Sequence, residues 1–415
     1  MPWFVLLCRA LLCLRFGRNE KALELLNRAV TGYPEISETH RLRGIALERF
    51  GRLEMALADY NQAMDLEPNC ALIYCDRGAV LRSLKRYPEA LSDLTHAIKL
   101  NPKMSRAFYL RGCVLSWLGE SEKAIADHNE VLILEPRMDA ALLQRANCWL
   151  KLGQLDRALS DLDKAIILNP DLADAYVSRG VVWSMKEQQD KAVTDLNEAI
   201  RRNTNWLAYA FYHRAGIRLK EGKIDLSIDD YTKAIQHQPE YADCFFGRAT
   251  ALYEKGDFDG ALADCCEVLR LAPENALAYR NLGCTLIELA RYKEGLASLE
   301  KGLTVDFKCA MLLDSIAWIL ATCPEGAVRD GKRALEFADK LKDTTDIPEW
   351  RKVALLAAAH AECGNLDLAV AYQRTVLEKV PAGTRNYEEE VLKTFQAGLP
   401  YREKARSEAT TTPAS

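Results

Sequence analysis

Seven arginines and seven aspartates recur in step along this 415-residue chain. The arginines are Arg43, Arg77, Arg111, Arg145, Arg179, Arg214 and Arg248, and sixteen residues after each stands Asp59, Asp93, Asp127, Asp161, Asp195, Asp230 or Asp264. A planar guanidinium and a carboxylate can meet through two parallel hydrogen bonds, and that pair is the charged arrangement a partly buried helix contact tolerates. Pairing each aspartate with the next arginine would orphan Arg43 and Asp264. Pairing within a repeat leaves no orphan, so a structural ion-pair ladder is the economical reading. A ladder that binds phosphate or acidic peptide is the alternative chemistry.

Other candidate chemistry is thin. Residues Gly326 to Lys332 fit G-x-x-x-x-G-K, the form of a phosphate-cradling loop. Arg333 stands where a metal-binding Ser or Thr is needed, however, and the string follows a helical pattern rather than a strand. His40, His96, His128, His213, His237 and His360 show no paired ligand spacing, and each is read as a surface or groove residue. The thirteen cysteines are scattered without C-x-x-C, which favours buried reduced thiols in a cytoplasmic protein over disulfides or zinc. No G-x-S-x-G elbow is present. The chain is therefore read as not an enzyme, with no cofactor and no metal.

The elements that would position these residues follow from the period. Hydrophobic residues make up 49% and charged residues 27% of the chain, as in ordinary globular proteins. The interspersed net charge of -4 argues against a nucleic-acid partner. Small residues recur about every 34 positions at Gly44, Gly78, Gly112, Ala146, Gly180, Ala215, Ala249 and Gly283, with one inserted residue near Asn205. A second column runs through Ala56, Ala90 and Ala124, a third through Ala63, Ala97 and Val131. Small side chains at such spacing mark where two helices approach closely. Prolines from Pro34 to Pro273 end most repeats, and glycines such as Gly51 and Gly119 punctuate their middles.

These columns resemble the tetratricopeptide repeat (TPR) family. The resemblance implies an all-α fold: a right-handed superhelical TPR solenoid of antiparallel helix pairs closed by a C-terminal helical cap. Nine repeats are expected over 1–309, divergent helix pairs and a cap helix over 310–402, and a disordered tail over 403–415. The stretches Ile316 to Pro324, Arg329 to Ala334 and Gln396 to Arg402 resemble a C-terminal module of bacterial TPR proteins.

The same resemblance implies that first helices line a groove that binds a protein or peptide partner. In repeats four to eight the positions are Arg106, Tyr109, Trp117, Asn147, Lys151, Tyr209, Tyr212, Lys220, Phe246 and Tyr253. Rings would insert between partner side chains and Asn147 would take main-chain hydrogen bonds. The carboxylate clamp of chaperone-binding TPR domains is not matched, because Leu143, Ser178, Tyr209 and His213 surround Asn147 in its place. At the N-terminus, residues 3–14 form an apolar first helix interrupted by Arg9, too short to span a bilayer. With Phe4, Leu7, Leu11 and Leu14 outward it would need a covering surface. The alternative function is thus structural assembly by self-association or membrane attachment, the latter disfavoured by length.

Overall fold

The computed structural model describes residues 2–403; the expected tail lies, from residue 404 onward, outside them. Among the described residues every regular element is helical. The chain divides into two compact units between Asn205 and Trp206, where the period carries its extra residue.

The first unit holds six antiparallel pairs: α1 (Pro2–Arg15) with α2 (Asn19–Gly32), α3 (Ser37–Arg49) with α4 (Leu53–Leu66), α5 (Ala71–Ser83) with α6 (Tyr87–Leu100), α7 (Ser105–Trp117) with α8 (Ser121–Leu134), α9 (Asp139–Lys151) with α10 (Leu155–Leu168), and α11 (Ala173–Met185) with α12 (Gln189–Arg201). The second unit continues with α13 (Leu207–Lys220) and α14 (Ile224–His237), α15 (Ala242–Lys255) and α16 (Phe258–Leu271), and α17 (Ala276–Glu288) and α18 (Tyr292–Val305). It closes with α19 (Ala310–Thr322), α20 (Gly331–Lys340), α21 (Glu349–Glu362), α22 (Leu366–Lys379) and α23 (Arg385–Gln396). Within each unit every second helix packs on its own first helix and on the next one, and successive first helices touch, making one continuous face per unit.

The small-residue columns set the pair geometry. Gly44 lies on the ring of Tyr60, where an added Cβ would stand 2.7 Å from Cε1, and Gly78 lies on Leu94 in the same way. Tyr60, Leu94, Ala56, Ala63, Ala90 and Ala97 are fully buried. Each large side chain sealed there contributes on the order of 1.5–3 kcal/mol. Between the paired helices Gly51 takes φ +69°, and Lys85 adopts φ +60° at the equivalent turn although it carries a side chain. Second helices stop where a proline follows: Glu67, with φ −139° and ψ 76°, precedes Pro68, because the proline ring excludes the α conformation from the residue before it. Asp306 takes a similar extended form, φ −132° and ψ 94°, before Phe307; there no proline follows, and the turn is made by the Asp306 side chain accepting the Lys308 amide at 3.1 Å.

Two expectations need correction. In α1 the inward residues are Leu7, Ala10 and Leu14, packed on Leu25 and Leu26 of α2. Phe4 and Leu11 face outward as expected, but they are joined by Val5 and Leu12, with Phe16 just beyond, in place of Leu7 and Leu14. His128 and His40 are buried, not superficial. His128 fills the place under Gly112 that Tyr60 and Leu94 fill in other pairs. Of the thirteen thiols, six are buried, six are half-buried and Cys266 is exposed. The Gly326 to Lys332 string forms the loop into α20, where the Asp330 side chain caps the helix by accepting the Arg333 amide.

In the C-terminal part α19 supplies Leu312, Ile316 and Leu320 to a buried cluster completed by Phe337, Leu341 and Leu355. Helices α21 and α22 form a further pair, and α23 lays Val391 and Phe395 on it. The chain then turns back as an extended strap. Glu403 donates its amide to Thr322 O at 3.0 Å, Arg402 pairs with Glu362 at 2.5 Å, and the Trp318 indole donates to the Glu403 carboxylate.

Candidate functional site

The ladder residues come together within each helix pair. In all seven pairs the arginine donates from Nε and Nη2 to the two carboxylate oxygens of the aspartate sixteen residues on, at 2.6 to 2.8 Å. The aspartate side chains are at most 8% exposed. Most of these arginines also use Nη1 to reach the preceding pair: Arg77 to Asn61 at 2.9 Å, Arg145 to Asn129 at 2.7 Å and Arg179 to Asp163 at 2.8 Å. Several lie over an aromatic ring three residues earlier, as Arg111 does over Phe108 at 5.7 Å. With both carboxylate oxygens occupied and the guanidinium enclosed, this geometry suits cohesion between pairs rather than capture of an external anion.

The groove candidates fall on the first-helix faces of the two units. In the first unit, Arg106 on α7 pairs with Asp76, a fully buried carboxylate that Arg41 also holds at 2.8 Å. Tyr109 is half-buried, and burial pushes its hydroxyl pKa up. Trp117 is 75% exposed and stacks on Tyr87 at 6.4 Å. On α9, Asn147 already accepts a hydrogen bond from the Ser178 hydroxyl through Oδ1 at 2.8 Å. Lys151 is tied by Nζ to the Ser116 carbonyl at 2.8 Å.

The second unit is more aromatic. Tyr209 and Tyr212 on α13 enclose His213, with ring centroids 4.2 and 5.1 Å away. Burial drives the His213 pKa down to about 4, so the imidazole is neutral at pH 7. Tyr212 also contacts Tyr241 at 5.3 Å. Lys220 is exposed at the end of α13. On α15, Phe246 is half-buried and Tyr253 donates to Glu288 at 3.0 Å. These rings are fixed by neighbours yet keep part of their surface open.

Beyond Tyr253 the face deepens into a pocket of about 420 Å³, lined in part by Tyr253, Arg280, Ile287, Tyr292, Trp318, Trp350 and Tyr387. The Arg351 guanidinium lies 4.2 Å from the Trp318 ring centroid and bonds Asp314 at 2.8 Å. The Glu388 carboxyl, buried against Gln373 at 2.6 Å, has its pKa raised by desolvation. Sequence reasoning missed this pocket. The signal was present for part of it: steps of 34 from Tyr212 give Phe246, Arg280 and Asp314, and steps of 34 from Thr250 give Cys284 and Trp318.

Among the described residues no cluster of three or more His, Cys, Asp or Glu could hold a metal ion. No helix of those residues is long and apolar enough to cross a membrane.

Comparison with known proteins places these helix pairs. Tetratricopeptide repeat models match residues 9–71, 71–104, 139–172, 212–276 and 276–309, together more than half of the chain. Small glutamine-rich tetratricopeptide repeat-containing protein 2 of Mycosarcoma maydis is 34% identical over 80 residues, 19% of this chain and 23% of that protein. The SGT1 homolog of Oryza sativa subsp. japonica is 29% identical over 129 residues, 29% of this chain and 35% of that protein. The chain thus spans about a quarter to a third of the length of these curated relatives. A crystal structure of a tetratricopeptide repeat protein from Parabacteroides merdae is 20% identical, covering 60% of this chain and 98% of that one with a TM-score of 0.49. On the repeat matches and the helix pairs they coincide with, this chain belongs to the tetratricopeptide repeat family.

Proposed function

We propose that the chain is a non-catalytic scaffold that binds a protein or peptide partner on the groove face of its first helices. The observation that carries this reading is the run of rings Tyr209, Tyr212, Phe246 and Tyr253 on the adjacent helices α13 and α15, leading into the pocket at Trp318. Aromatic side chains already held by packing offer large contact area while losing little rotamer freedom on binding. In the first unit, Arg106, Tyr109, Trp117, Asn147 and Lys151 offer a mixed basic and aromatic face of the same kind. The pocket carboxylates Asp314, Glu388 and Glu403 are each engaged by a donor from this chain, which favours a receptor over an acid–base catalyst.

An affinity pull-down from source-cell lysate tests it, comparing wild type with a Tyr212→Ala, Phe246→Ala double variant whose helicity and melting are checked first. Loss of a partner band in the variant supports the groove. Retention of every band removes this face from the proposal.

A second reading is favoured by α1, whose outward Phe4, Val5, Leu11 and Leu12 are 57, 56, 45 and 54% exposed, with Phe16 at 73%. A contiguous apolar face of this kind is characteristic of an interaction surface, and we infer self-association through it. Light scattering after size exclusion should give a dimer that Leu12→Glu with Phe16→Glu converts to monomer. A monomeric wild type refutes the second reading and leaves the first standing.

A further inference from the structure

Arg280 on α17 breaks a rule that the rest of the second unit obeys. There a half-buried guanidinium is met by a carboxylate: Arg214 by Asp230, Arg248 by Asp264, Arg329 by Glu362 and Arg351 by Asp314. Arg280 is also half-buried, its Nε is buried without an acceptor, and among the described residues it forms neither an ion pair nor a hydrogen bond. Enclosing a cation without a counter-charge is costly, and the terminal Nη1 and Nη2, which unlike Nε are not enclosed, are the donors that a carboxylate from outside can reach.

The surroundings define what such a carboxylate would be attached to. Arg280 lines both the 420 Å³ pocket and a second one of about 210 Å³ that includes Thr250 and Asn281, so it stands between two cavities. The space on both sides of it suits a residue within a chain, whose neighbours lie on either hand, better than a chain end. The larger cavity offers Ile287, Ile319, Trp318 and Trp350 to an apolar side chain, within the size range of ligand pockets. The carboxylates nearby already have donors. Asp314 is held by Arg351, Glu403 by the Trp318 indole, Glu288 by the Tyr253 hydroxyl and Glu388 by Gln373. Glu254 stands exposed at the rim of the smaller cavity.

We propose that Arg280 anchors the side-chain carboxylate of an Asp or Glu within a partner peptide, whose neighbouring bulky apolar residue enters the pocket beside Trp318. This rests on the peptide-binding reading above and names the chemistry of its ligand.

The test is a random peptide library displayed with its C-terminus fused, selected in parallel on the full chain, on Arg280→Gln, and on a chain ending at Glu403. Wild type should enrich peptides with Asp or Glu one or two residues from Trp, Phe or Leu, and the shortened chain should show the same preference. Arg280→Gln, with unchanged melting, should lose the acidic preference. For an enriched peptide made with blocked ends, replacing its acid by the amide should weaken binding at least tenfold on wild type and less than twofold on Arg280→Gln. Enriched peptides without an acid, or equal losses on both proteins, overturn the assignment of Arg280 while peptide binding stands. Failure of any peptide to enrich on wild type or on the shortened chain overturns both.

Discussion

Replacing Asp161 by alanine exposes the energetic role of the ladder most directly. Its side chain is 5% exposed and accepts both Arg145 bonds at 2.7 Å, while Arg145 is 20% exposed and keeps its third bond, 2.7 Å to Asn129. Breaking a buried pair by removing one partner costs about 3–5 kcal/mol, and breaking an exposed one under about 1. The retained Asn129 contact and residual solvent access place this pair at the lower end of the buried range, about 3 kcal/mol. For a cooperative unit of this size each kcal/mol moves the midpoint by roughly 2–4 °C, so a fall of roughly 6–12 °C is expected by circular dichroism. Hydrogen exchange should accelerate first in α9 and α10, because stability in stacked repeats is carried by nearest neighbours. A shift smaller than about 2 °C would refute the buried-pair argument. Arg145→Met with Asp161→Leu then separates charge from shape: the double variant should recover most of the loss, since an apolar pair of similar volume replaces a buried ion pair at little cost.

His128 predicts an acid limit to stability. Its ring nitrogens are buried without partners, and burial, aided by repulsion from Arg145, lowers its pKa to about 4. An unfolded histidine titrates near 6.5, so the stabilisation from keeping the ring neutral is full above that pH and is lost as pH falls towards 4, about 2–3 kcal/mol by pH 4.5. His128→Leu, the residue found under Gly78, should reduce the drop in urea midpoint between pH 7 and 4.5, and an equal drop in both proteins contradicts the assignment. Gly247→Ala should lower the melting midpoint by several degrees, because its Cβ would stand 2.3 Å from Tyr231 Cζ and overpacking costs about 1–3 kcal/mol. An unchanged melt would show that the ring moves freely.

The helix pairs were legible because repetition amplifies weak local signals. One glycine at Gly44 means little, but the same place filled by Gly78, Gly112 and Gly180 identifies a contact, and Tyr60, Leu94, His128 and Leu196 lie against them. What lay outside the column was harder to read. His128 looked polar and therefore superficial, although its position in the period already placed it under Gly112. Lys85, Glu187 and Ala290 take the positive φ that glycine supplies in other turns, which no residue type announces. On α1 the sequence places Phe4 and Leu11 outward correctly but not Leu7 and Leu14, because apolar residues surround that helix and leave no polar stripe to fix its rotation. One lining residue of the pocket, Glu403, is returned to Trp318 across 85 residues of chain by the strap, and a contact so distant leaves no periodic trace.

One column connects the scaffold to its candidate site. Stepping by the period along the first-helix face of the second unit gives Tyr212, Phe246, Arg280 and Asp314: two rings, a cation and an acid. The ladder column, two residues along, holds arginine on every first helix from α3 to α15, each met by its own aspartate, and gives way to Leu282 on α17 and Ile316 on α19, so its part is to hold pairs together. This column passes from rings to a cation to an acid while the backbone under it repeats, and such variation on a fixed frame is what a surface specific for one sequence requires. Asp314 is matched by Arg351 from α21, and with that pair the C-terminal helices close the end of the face. Arg280, one step earlier, meets no acid among the described residues, and that is the place the proposal gives to the acid of a partner peptide.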